Sequence, residues 1–123
     1  MQPPEPNPHP TQVLQQQAQA LRAIAQQPDL DVTQLRTALA ATQHYFQTQV
    51  LTADLSAASP LAANQVRSIH TEINRTLRLL GMDAMFLYAA KKSATQQQRL
   101  TQMGDRIDTL LGFCAVLLGQ PPE

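Results

Sequence analysis

From Val66 to Leu87 the chain keeps one spacing without a break: Val66, His70, Ile73, Leu77, Leu80, Ala84 and Leu87 follow one another at steps of four and three. Steps of that kind stay on one face of a helix with 3.6 residues per turn, whereas strand side chains alternate with period two. The pattern recurs in Leu100, Met103, Ile107, Leu110, Cys114 and Leu117. Shorter versions run through Leu14, Ala18, Leu21 and Ala25, with Val13 and Ile24 beside them, and through Val32, Leu35, Leu39, Thr42, Phe46 and Val50. A one-sided helix must bury its stripe against another element. The sequence therefore specifies an all-α fold.

Punctuation residues set the boundaries. Pro28 stops a first helix over about 12–27, because a residue before proline is pushed out of helical geometry. Asp29 or Asp31 can cap a second helix over about 32–51. Ser59 followed by Pro60 reads as the start of the third, with serine at the cap and proline at the first helical position. At 1.5 Å per residue, its roughly 30 residues span about 45 Å. Ser93 and Gln96 read as a capping box opening a fourth helix at about 94, which Gly119 and Pro121 end. Short connections make consecutive helices neighbours, so the expected fold is a four-helix antiparallel up-down-up-down bundle with a long third helix, the alternative being a long hairpin of the third and fourth helices with the first two packed across it. The expected division is a disordered proline-rich lead-in over 1–10, one bundle domain over 11–119, and a flexible C-terminus over 120–123.

A chain of 123 residues can bury one core without a metal or a disulfide. Cys114 is the only cysteine, so no intramolecular disulfide can form, which points to a reducing, cytoplasmic setting. No apolar run is long enough for a membrane span. Net charge is zero, yet Arg67, Arg75, Arg78, Lys91, Lys92 and Arg99 crowd residues 67–99 against only Glu72 and Asp83.

Catalytic and metal-binding patterns find little support. His9, His44 and His70 stand far apart, and none has a carboxylate or a second histidine at ligand spacing. His70 reads as a satisfied core histidine, and His44 as a surface residue beside the anchor Phe46. Asp105 and Asp108 lie one turn apart with Arg106 between them and read as a solvated face. Gly81, Gly104 and Gly112 are isolated within helices, unlike a phosphate-binding loop, and read as points of close helix approach. The expectation is a protein that is not an enzyme and takes no cofactor. Nucleic-acid binding is disfavoured too, since the basic excess is small and five aromatic residues make a poor stacking platform.

The third helix carries a second apolar face. Opposite its core stripe the first half shows Ser68, Thr71, Glu72 and Arg75, while the second shows Leu79, Met82 and Phe86, with Met85 at the edge. Either this half is a strut buried on all sides, or the face stays open as anchors for a partner at helical spacing. Flexible methionine side chains suit the second role. On that reading the candidate partner-binding residues are Arg75, Arg78, Leu79, Met82 and Phe86, and the partner offers an apolar surface bordered by acid. Asp83 is expected to pair with one of the arginines from Arg99 to Arg106.

The segment "EINRTLRLLGMDAMFLYAAKKSATQQQRLTQMGDRIDTLLGFC", residues 72–114, resembles the PatD family of cyanobacterial heterocyst-frequency control proteins. The likeness rests on "LRLLGMD" at 77–83, "FL" at 86–87, and Thr95, Arg99, Met103 and Arg106, with "HYFQTQV" at 44–50 similar as well. The resemblance implies a non-enzymatic regulator that interacts with the division protein FtsZ and modulates its assembly, linking cell division to heterocyst development. It also implies action at the division site. Two other readings use the same residues: a small DNA-associated regulator acting through 67–99, and a structural subunit that forms a homodimer through Leu79, Met82 and Phe86.

Overall fold

The computed structural model describes residues 9–53 and 59–121, and among these the chain forms four α-helices and no strand. They are α1 (Pro10–Ala25), α2 (Val32–Tyr45), α3 (Ala63–Ala89) and α4 (Ser93–Leu118). Packing runs around a ring, α1 on α2, α2 on α3, α3 on α4 and α4 back on α1. Cross-helix bonds fix the directions. Gln15 meets Gln120 and Arg22 meets Asp108, so α1 and α4 are antiparallel. Gln43 of α2 and Gln47 just beyond its end reach Leu77 and Asn74 of α3 in descending order, and Asp83 of α3 meets Arg106 of α4. This is the expected up-down-up-down bundle.

The stripes form the core. Leu14, Ala18 and Leu21 of α1, Leu35 and Leu39 of α2, Ile73, Leu77 and Leu80 of α3, and Met103, Ile107 and Leu110 of α4 are all buried. Val66, Ala84 and Leu87 complete the α3 stripe, and Cys114 and Leu117 that of α4. Burial pushes the Cys114 thiol up to about 12, which keeps it protonated and unreactive.

Several boundaries differ from the sequence reading. The first helix starts at Pro10, not near residue 12. His9 caps it: its Nδ1 accepts from the Thr11 amide at 3.1 Å, while the Gln12 side chain accepts from the His9 amide at 3.1 Å. Of the expected lead-in over 1–10, Pro10 thus belongs to α1 and His9 caps it; residues 1–8 lie outside the described residues. At the other end, Gln120 bonds to Gln15, and 122–123 lie outside the described residues. The third helix begins at Ala63, not at Ser59, and the Gln65 side chain closes its first turn by accepting from the Ala62 amide. For α4, Lys92 holds the cap position and Ser93 is already helical, so no Ser93–Gln96 capping box forms; Gln96 donates instead to the Ala90 carbonyl.

The second helix does not stay regular to 51. Residues Phe46–Val50 form a wide π turn, in which the Leu51 amide donates to the Phe46 carbonyl five residues back at 3.0 Å. Phe46 and Val50 are fully buried, so the wide turn keeps the stripe on the core. Two stops match the sequence: Asp31 caps α2 by accepting from the Gln34 amide, and Gly119 ends α4 in the left-handed region at φ 68°.

Candidate protein-docking face

The inward stripe of α3 holds it in the bundle, and its flanks are fastened by polar contacts. On the α2 side, Gln43 Nε2 donates to the Leu77 carbonyl at 2.9 Å. That contact explains Gly81, where a Cβ would stand 3.1 Å from Gln43 Nε2. On the α4 side, Arg106 Nε donates to Asp83 Oδ2 at 2.6 Å, the expected ion pair, with the Asp83 side chain only 4% exposed. Anchored on both sides, α3 turns its remaining face outward.

Along the second half that face is apolar. Met82 is 47% exposed, Phe86 49% and Met85 64%, while Leu79 is half-buried. The strut reading is thereby excluded, since about half of Met82 and of Phe86 stays in solvent. Arg75 and Arg78 are exposed on the same face, and neither has an ion-pair partner among the described residues. The five candidates therefore lie together on one surface.

Two further arginines flank α3 on either side and escape a single-helix reading. Arg99 of α4 lays its guanidinium over the Phe86 ring, 4.6 Å from the centroid, and Arg36 of α2 does the same over Tyr88 at 4.9 Å. Such stacking is worth about 0.5–1 kcal/mol at exposed sites, and it fixes the position of the cation as well. Both contacts depend on how neighbouring helices pack. Arg99, whose Nη1 also donates to Gln102 Oε1 at 3.4 Å, gives no sign in sequence that it will stack on a phenylalanine of α3.

The other sequence candidates resolve individually. His70 is buried edge-on to Phe46, with ring centroids 5.9 Å apart, and desolvation lowers its pKa. It is not satisfied as expected, since its Nε2 finds no hydrogen-bond partner among the described residues. His44 lies exposed, and so does Asp105. Asp108 is solvated but pairs with Arg22. The close-approach reading fails at Gly104 and Gly112, where a Cβ would meet nothing within 4 Å. Gly112 instead borders an open groove between α1 and α4, which Gln15, Gln19 and Val116 also line.

Among the described residues no group of metal-ligating side chains comes together, and no helix is long and apolar enough to cross a membrane. The chain matches no protein-family model, no curated protein and no solved structure.

Proposed function

We propose that this protein is a non-enzymatic regulator that works by binding another protein through the outward face of α3, with Arg75, Arg78, Leu79, Met82 and Phe86 in contact. The observation that carries this reading is the pairing of half-exposed Met82 and Phe86 with two arginines that lack ion-pair partners. Fully burying such an apolar side chain is worth about 1.5–3 kcal/mol, so each half-exposed anchor leaves on the order of 1 kcal/mol for a partner to gain. The arginines add steering and discrimination against cationic surfaces.

The resemblance of residues 72–114 to the PatD family supplies the candidate partner, FtsZ, and the candidate role, adjusting FtsZ assembly in the cytoplasm so that division is linked to heterocyst development. Co-sedimentation with GTP-assembled FtsZ tests this directly. The protein should pellet with the polymer and alter its light scattering. A protein that stays in the supernatant at every FtsZ concentration overturns the FtsZ assignment.

A further inference from the structure

The outward face of α3 does not stand alone. Its α2 edge carries Arg36 over Tyr88 and its α4 edge carries Arg99 over Phe86, while Arg75 and Arg78 precede the methionines on α3 itself. Neither acid on this helix forms an ion pair with them. Asp83 is buried and committed to Arg106, and Glu72 lies a full turn before Arg75 and Arg78 lead into the apolar part. Of the arginines, Arg22 and Arg106 form the two ion pairs among the described residues, whereas the four around this face form none. An apolar platform is thus framed by cations on three elements.

We infer that this platform docks an acidic amphipathic helix of a partner protein, with apolar residues on Met82, Met85 and Phe86 and carboxylates toward Arg36, Arg75, Arg78 and Arg99. The inference rests on the docking reading above and specifies the chemistry of the partner. Three features select that occupant. The α3 backbone is closed by its own helical hydrogen bonds, so no edge is open to strand addition and contact must come through side chains. Leu79, Met82 and Phe86 stand at steps of three and four, forming a ridge that fits a groove between the side-chain rows of a second helix. The guanidinium groups on Phe86 and Tyr88 occupy ring faces that a nucleobase would need for stacking, while their free N–H groups remain available to carboxylates. A second copy of this chain would bring the same cations against each other.

The test uses the full chain and three fluorescent peptides with the same apolar spacing: one with glutamate at its polar positions, one with lysine, and one with glutamate and a central proline that prevents a helix. A short DNA duplex is the fourth probe. The glutamate helix should bind, lose about tenfold in affinity between about 50 and about 300 mM salt, and lose about tenfold again with Arg36→Gln/Arg99→Gln. The lysine and proline peptides should bind at least about tenfold more weakly. Equal binding of the lysine and glutamate peptides, lost in Met82→Ser/Phe86→Ser, overturns the acidic partner and leaves the docking face standing. Equal binding of the proline peptide overturns the helical occupant alone. Preference for DNA, or no binding by any peptide, overturns the inference, and the last result counts against the docking face as well.

Discussion

Leu80 and Met82 sit two residues apart on α3, both apolar, and the bundle treats them oppositely. Leu80 is fully buried under α2 and α4, while Met82 is half in solvent. The same holds for Leu87 and its neighbour Phe86. The inner row is enclosed by the core, and the outer row stays half in solvent, touched from α4 only where Arg99 stacks on Phe86. Apolar character therefore has two meanings in this segment: the inner row stabilises the fold, and the outer row is available to something else. The two rows should differ in what their loss costs.

The largest effect belongs to the inner row. Leu80→Ala or Leu110→Ala should lower unfolding free energy by about 2–5 kcal/mol, because each leaves a cavity in a closed core. Chemical denaturation measures it, and a loss under about 1 kcal/mol would erase the distinction between rows. Next come the ion pairs that flank α3 and α1. A double-mutant cycle on Asp83 and Arg106 should give a coupling of about 1–3 kcal/mol, since the Asp83 carboxylate is 4% exposed. The Arg22–Asp108 pair, with side chains 37% and 61% exposed, should give about 0–1 kcal/mol.

His70 tests the inner row by pH. Its pKa is lowered by desolvation, so the unfolded chain binds the proton more readily than the folded one. Stability should be level above the ordinary histidine value of about 6.5 and fall as pH drops below it. His70→Phe, placed beside Phe46, should flatten that slope; an unchanged slope would assign it to another group. The smallest effects concern the glycines. Gly112→Ala meets open space and should stabilise by about 0.5–1 kcal/mol, whereas Gly81→Ala crowds Gln43 Nε2 and should gain less or nothing.

The helices and their inward stripes were legible in sequence because helical periodicity is local: the steps of three and four in α3 and α4 need no knowledge of neighbours. Asp83 was legible too, because the short α3–α4 connection places it opposite Arg106. The start of α3 was not, since Ser59–Pro60 carries a start signal that the helix, beginning at Ala63, does not use; nor was that of α1, where His9 caps Pro10 with Gln12 closing the cap. The π turn at Phe46 was hidden because a step of four suits a turn of 3.6 residues and a wider one equally. The outer face was half legible. A helical wheel finds Met82 and Phe86 but cannot tell whether a neighbour covers them, nor that Arg36 and Arg99 reach over from adjacent helices.

The most direct test of the docking face is a single double variant, Met82→Ser/Phe86→Ser, followed by circular dichroism, denaturant unfolding and FtsZ co-sedimentation on the same sample. If the outer row serves a partner, the variant keeps its helical content, stays folded with a loss of no more than about 2–3 kcal/mol of stability, and no longer pellets with a polymer that wild type binds. If the variant unfolds, the row belongs to the core. If it stays folded and binds as wild type does, the partner docks elsewhere and the outward face of α3 has no part in it.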